Sequence, residues 1–372
     1  VAGGGGRPQD FAWVVPNSAI DVDCWHHPFP GPSRKGRGES ASYFVMTRFI
    51  IRRLAGMVPF IFLVSITVFI LIKLPPGDFV SNYAASLAAA GETVDDAMLA
   101  TMRTRFGLDQ PVIVQYWHWI DGILHGDFGY SFKWQQPVSA LIWERMGLTL
   151  ILSVATLLFT WAVALPIGVY SAVRRYSVLD YIFTLLGFLG LAVPSFLLAL
   201  VLMYLGVSVF HQDIGGLFSP EYLNAPWSLA RAGDLAAHLW LPMVILGTGG
   251  AASLIRIMRA NLLDQLHQPY VDTARAKGLS EFTLLVRYPI RIALNPFVST
   301  LGWVLPHLVS GSIILSIVLN LPTSGPLLLQ SLLSQDQYLA GAFLLLLCSL
   351  TVVGTLISDI LLAILDPRIR VQ

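Results

Sequence analysis

Six long apolar runs, nearly free of charge, dominate the chain and restrict it to one kind of surroundings. They cover Leu54–Leu74, Leu148–Ala172, Ile182–Val209, Ala237–Met258, Pro296–Leu319 and Leu339–Leu365. A helix rises 1.5 Å per residue, so the first run alone reaches roughly 31 Å, enough for a ~30 Å hydrocarbon core. Charged residues make up 12% of the 372 residues and hydrophobic ones 55%, whereas soluble domains carry about 25% charge. So little charge cannot coat a water-facing surface, which excludes an ordinary cytosolic enzyme. The apolar content excludes disorder of the whole chain. A net charge of +1 supplies no field for nucleic acid. The expected fold is an all-α membrane protein with six transmembrane helices.

The distribution of Lys and Arg orients these spans. Arg52 and Arg53, Arg174 and Arg175, the basic residues from Arg256 to Arg291, and Arg368 and Arg370 fall on one side. Lys73, Arg103, Arg105, Lys133, Arg145 and Arg231 fall on the other, over longer loops. The positive-inside rule puts the richer side, and both termini, in the cytoplasm. Residues 46–74 then hold a short cytoplasmic start and the first span. Residues 75–147 form a small external subdomain, with helical pattern at Val94–Arg105 and Val112–Leu124 and turn signals at Pro75-Pro76-Gly77-Asp78 and Gly126-Asp127. Residues 148–372 hold the other five spans. Residues 1–45, with Gly3 to Gly6, several prolines and a basic cluster, read as a disordered tail. Met46 is the expected native start, with that tail as upstream sequence; mass spectrometry of the N-terminal peptide checks this. Pro166, Pro194, Pro242 and Pro306 sit inside spans, where kinks are expected.

No residue pattern here carries out covalent chemistry. The chain has no G-x-x-x-x-G-K-[ST], no H-E-x-x-H and no G-x-S-x-G. Cys24 and Cys348 lie far apart and form neither a disulfide framework nor a metal cluster. Ionisable groups within spans are few, His307 and Asp359, and do not make the pair that a proton pump or intramembrane protease needs. The informative segment is the loop of about 259–295, too polar for lipid and too periodic for a tether. It reads Tyr270-Val271-Asp272-Thr273-Ala274-Arg275-Ala276-Lys277-Gly278-Leu279-Ser280-Glu281. A short helix, a glycine break and a second helix over Phe282–Ala293 are expected. Small Ala274, Ala276 and Gly278 would let another protein approach the backbone, and Arg275 and Lys277 would pair with its acidic groups. The competing reading is a solvated amphipathic connector.

This loop resembles the characteristic cytoplasmic loop of permease subunits of ABC importers. Asp272, Thr273 and Ala274 occupy the family's Glu-Ala-Ala triplet and Gly278 its glycine. Asp272 and Thr273 depart from that triplet, and Arg291 stands where the general pattern has proline. The stretch Arg259–Leu279 is similar to the branch importing dipeptides, oligopeptides and nickel. So are Leu74-Pro75-Pro76-Gly77-Asp78, Gly107-Leu108-Asp109-Gln110-Pro111, Gly126-Asp127-Phe128-Gly129 and the ending Leu365-Asp366-Pro367-Arg368-Ile369-Arg370. The resemblance covers Met46 to Arg370. It implies a bacterial inner-membrane subunit that works with a second homologous permease, two cytoplasmic ATPase subunits and an external solute-binding protein. It implies that Asp272, Thr273, Ala274, Arg275, Ala276, Lys277, Gly278 and Leu279 dock on an ATPase. The chain itself would bind no cofactor; ATP and magnesium would be used by the partners. Peptide is the expected cargo, with oligosaccharide and a membrane scaffold as alternatives.

Other candidates follow from spacing. Ser299, Trp303, His307 and Ser310 share one face of the fifth span. That stripe suits either a translocation path or hydrogen bonding between helices; no second ligand makes His307 a metal site. Asp359 is expected to pair with a basic loop residue, and Arg256 and Arg259 to snorkel to headgroups. Tyr116, Trp117, Trp119, Tyr130, Phe132 and Trp134 are expected to form an interface belt or local core.

Overall fold

The structure is a computed structural model, and it describes residues 35–91, 95–210, 215–223, 225–300 and 313–365. Helix α1 covers Lys35–Lys73, α2 Phe79–Ala89, α3 Asp96–Arg105 and α4 Val112–Leu124; a two-residue hairpin, β1 Tyr130–Ser131 and β2 Gln136–Pro137, precedes α5, Val138–Val173. Then come α6 Val178–Ala192, α7 Ser195–Phe210, α8 Leu229–Leu266, α9 Pro269–Ala276, α10 Glu281–Arg287 and α11 Pro289–Ser299. The last described helices are α12 Ile313–Val318, α13 Ser324–Leu333 and α14 Gln337–Leu365. The helix that opens the fold starts at Lys35, inside the segment expected to be disordered. The run from Glu39 to Met46 lacks proline, so nothing breaks the helix there once it is seeded from the apolar run behind it.

Among the described residues four helical stretches are long and apolar enough to cross a membrane: Ile50–Lys73, Val138–Val173, Leu229–Leu266 and Gln337–Ile364. The run expected as one span over Ile182–Val209 is instead two helices, α6 and α7, bent by 102° at their junction. Pro194 causes this. It restricts Val193 to extended backbone, at φ −84° and ψ 120°, and cannot donate to the preceding turn. The run Pro296–Leu319 is described only at its ends, because residues 301–312 lie outside the described residues.

Close approaches fix how the helices run. Gly247 faces Phe159, and Gly168 faces Met258; a Cβ on either glycine would come within 2.6 or 2.7 Å of those side chains. Positions 159 and 168 on α5 therefore match 247 and 258 on α8, and the two helices run parallel, with small residues letting their backbones close up. Gly190 faces Thr248, and Asp180 pairs with Arg259, so α6 runs antiparallel to α8. A chain that passes between two parallel helices must return in between, and the bent pair makes that return. Helix α14 is antiparallel to α1: Gly341 meets Ile72 at one end, and Asp359 meets Arg53 at the other.

Residues 75–147 fold around aromatic rings. Phe79, Val80, Leu99 and Phe132 form one buried group, and Tyr116 and Trp119 join Val68, Phe69 and Leu345 in another. The expected aromatic cluster thus divides: Tyr116, Trp119 and Phe132 are core, while Trp117 and Tyr130 are exposed. The hairpin is tied to the start of α14 through fully buried Asp336. Its carboxylate accepts from Ser131 Oγ at 2.6 Å, the Lys133 N–H at 3.2 Å and the Leu339 N–H at 3.3 Å. Burial pushes this carboxyl up from its ordinary value despite the three donors.

Candidate functional site

The candidate site is the helix–turn–helix that follows α8. Helix α8 has 38 residues, about 57 Å at 1.5 Å per residue. That exceeds the ~30 Å a membrane core needs, so its end stands clear of the span region and carries α9 with it. Pro269 opens α9, where its missing N–H costs nothing. The stop is a glycine cap. Gly278 takes φ +78°, its N–H donates to Arg275 O at 3.0 Å, and the Leu279 N–H donates to Ala274 O at 3.4 Å. Leu279 then folds back on Val271, Ala274 and Leu284, a small apolar centre between α9 and α10. Ser280 caps α10 by accepting from the Thr283 N–H.

This construction sorts the residues singled out from the sequence. Asp272, Thr273, Arg275, Ala276, Lys277 and Gly278 are exposed on one surface, and Leu279 is half-buried. Ala274 is not on that surface: it is 7% exposed and packs inward, so its small side chain serves the fit between α9 and α10. Arg275 is also committed internally. Its guanidinium donates to Glu281 at 2.7 Å and lies 3.4 Å from Asp272. The hydrogen bond from Arg275 holds the Glu281 carboxyl below its ordinary value. Lys277 has no acidic partner among the described residues. The second helix, expected to run unbroken from Phe282 to Ala293, breaks at Tyr288, because Pro289 pushes the residue before it out of the helical region. Sequence reading passed over Phe282, which is 78% exposed beside the cap, and Val286, one turn on and 51% exposed. Their i, i+4 spacing next to a charged, small-residue surface was the available signal.

An ion pair anchors α8 just above this unit. Arg259 donates to both carboxylate oxygens of Asp180, Nε to Oδ1 at 3.1 Å and Nη2 to Oδ2 at 3.0 Å. Asp180 also accepts from the Tyr176 N–H at 3.0 Å and sits in the first turn of α6, capped by Ser177. The Asp180 side chain is 3% exposed. Arg259 is therefore clamped to a neighbouring helix and does not reach for headgroups, since a buried carboxylate so close by is the better partner. Asp359 likewise pairs with Arg53 of α1, at 3.2 Å, and not with a loop residue.

Of the stripe expected on the fifth span, Ser299 ends α11 beside α14, its carbonyl oxygen 3.4 Å from Ser358 Oγ. Trp303, His307 and Ser310 lie outside the described residues. A second polar stripe went unnoticed in the sequence: Thr149, Ser153, Thr156 and Thr160 are all buried on one face of α5. Thr149 exchanges hydrogen bonds with Ser324, and Thr160 donates to Gly247 O. These hydroxyls hold helices together. At the opposite end of the bundle from α9, a cavity of 640 Å³ is bordered by Arg145, His238, Asn320 and Gln330. No cluster of His, Cys, Asp and Glu suited to a metal occurs among the described residues.

Comparison with known proteins matches residues 164–371 to the family described as binding-protein-dependent transport system inner membrane component. Residues 46–153 match the N-terminal part of the corresponding membrane component. The chain is 35% identical over 327 residues to the oligopeptide transport system permease protein AppB of Bacillus subtilis, covering 87% of this chain and 100% of the relative. It is 32% identical over 325 residues to the glutathione transport system permease protein GsiC of Salmonella typhimurium, covering 87% and 99%.

Proposed function

The chain belongs to the binding-protein-dependent transport system inner membrane components, and from that premise we propose that it is the permease subunit of an ATP-driven importer of di- and oligopeptides. The names of the relatives AppB and GsiC support the cargo. In this reading the chain crosses the membrane six times, with 75–147 outside and α9–α10 in the cytoplasm. It has no catalytic residue. Two ATPase subunits hydrolyse ATP, a second homologous permease completes the path, and an external binding protein delivers the peptide.

The observation that carries the reading is an exposed helical knob, packed on its own apolar centre and joined to the span bundle through the end of α8 and through α11. Asp272, Thr273, Arg275, Ala276, Lys277 and Gly278 present the docking surface, and Ala274 and Leu279 hold it in shape. Phe282 adds an apolar anchor. Because α8 ends only two residues before the knob opens at Pro269, and Arg259 pairs α8 with Asp180 of α6, a displacement of the knob would be passed to both helices. ATP binding closes the ATPase pair, and the two permeases rock between inward-open and outward-open states. In this reading the cavity bordered by Arg145 and His238 is where the peptide would enter.

The test is reconstitution. With its partner subunits and binding protein in proteoliposomes, the chain should support ATP-dependent peptide uptake; alone it should neither hydrolyse ATP nor move solute. Cysteine at position 276 (Ala276→Cys) should cross-link to an ATPase subunit, at a yield that changes with ATP. Uptake by the chain alone, or cross-links that ignore nucleotide, would overturn the reading.

A further inference from the structure

The inner-end junction of α1 and α14 holds a cavity of 610 Å³ that the coupling knob and the transport path do not use. Its lining changes character along the helices. At one end are Arg52, Arg53 and Asp359; at the other are Met57, Phe60 and Val352. From Arg52 to Phe60 is about 12 Å along the helix, the distance from headgroup level into the upper acyl region. Arg53 is committed to Asp359 at 3.2 Å. Arg52 is exposed and has no acidic partner among the described residues. Among the described residues, two guanidiniums stand against one carboxylate at the polar end. Gly56 lies between the two ends, and a Cβ there would meet nothing within 4 Å. Glycine is a poorer helix former than alanine in mid-helix, and here it leaves the groove floor without a side chain.

We propose that this cavity is a binding site for an anionic phospholipid, whose phosphate sits on Arg52 and whose acyl chain lies over Gly56 between α1 and α14. Charge and polarity choose this occupant. Both walls are membrane-crossing helices, the cavity is cationic at headgroup depth, and it is apolar below. Basic pockets of this kind between spans recognise anionic headgroups. A peptide would leave its backbone unpaired against Met57, Phe60 and Val352. The site needs membrane insertion and no transport activity, so its test does not read uptake.

The test uses the full-length chain in its assembled complex, in nanodiscs of phosphatidylethanolamine and phosphatidylglycerol. A photoactivatable phosphatidylglycerol is the probe, and the labelled peptides are read by mass spectrometry. Label should concentrate on the segments holding Met57 and Thr355. Arg52→Gln should cut it several-fold, and Arg52→Lys should restore most of it. Gly56→Phe fills the groove without touching a charge and should remove the label while complex assembly, read by gel filtration, is kept. Four results would overturn the proposal. These are equal labelling by a phosphatidylethanolamine probe, indifference to Arg52→Gln, displacement by excess inorganic phosphate, and cross-links showing the second permease seated in the groove.

Discussion

Replacing Arg259 with methionine tests how the knob is fastened to the spans. The substitution keeps the length and apolar stem of the side chain but leaves Asp180 charged, 3% exposed and without its counterion. Stranding one member of a buried pair typically costs 3–5 kcal/mol. The Tyr176 N–H still donates at 3.0 Å, so the lower end, about 3 kcal/mol, applies here. The shift per kcal/mol is about 2 °C at about 250 residues and falls with length, so Tm in detergent should drop by at most about 6 °C. Asp180→Asn combined with Arg259→Met removes the charge and keeps an acceptor for Tyr176. That double variant should lose only about 1 kcal/mol; with the Asp180→Asn single variant, whose own cost adds to the difference, the double-mutant cycle should give a coupling of at least about 2 kcal/mol. Transport should follow the cycle too. The single Arg259 variant should hydrolyse ATP in the complex with less peptide moved per ATP, because α8 can then slip against α6. If the double variant is as unstable as the single one, the pair is not what holds α8, and the lever argument fails.

Gly278→Ala should cost about 1–2 kcal/mol of local stability, since φ is +78° with open space around the missing Cβ; Gly278→Asn should cost less. Peptide uptake in the complex should rank glycine, then asparagine, then alanine, with membrane insertion unchanged, and equal uptake by all three would refute the cap's role. Asp336→Ala should leave the Ser131 hydroxyl and the Leu339 N–H buried without their acceptor, a loss of about 2–4 kcal/mol. The measurement is faster limited proteolysis within 128–137. For Asp78, burial pushes the carboxyl up, but the Ser81 hydroxyl, the Ser81 N–H and Arg103 together outweigh it and hold it below the ordinary range. A depressed carboxyl contributes stability above its unfolded value of about 3.9, lost as pH falls through the lower folded value. Hydrogen exchange at the start of α2, corrected for intrinsic rate, should therefore speed up below about pH 4, and Asp78→Asn should abolish that acid step.

The sequence disclosed its apolar runs because burial in lipid demands a continuous pattern, and α1, α5, α8 and α14 appear where those runs lie. It disclosed α3 and α4 to within a residue or two because their periods end at turn residues. It hid the bend of α6 and α7, since a proline in an apolar run reads the same whether the helix kinks slightly or turns by 102°. It hid the ion pairs for a different reason. Asp180 and Arg259 are 79 positions apart, and their meeting depends on how α6 lies on α8, which no local pattern encodes. The knob was legible as a helix, a glycine and a second helix. That Ala274 faces inward and Arg275 is held by Glu281 follows from the fold-back of Leu279, a contact made only once the glycine adopts its left-handed turn.

The bond between Arg53 and Asp359 has a consequence for how the protein is made. About 300 residues separate the two, and at 5–20 residues per second a ribosome needs roughly 15–60 s to travel between them. During that interval the opening segment is already inserted while its counterpart has not been synthesised. The pairing between the first and last helices is therefore made late in synthesis. The last helix thus closes a pairing that the first helix opens, and a chain cut before Asp359 would lack the carboxylate that Arg53 meets in the finished fold.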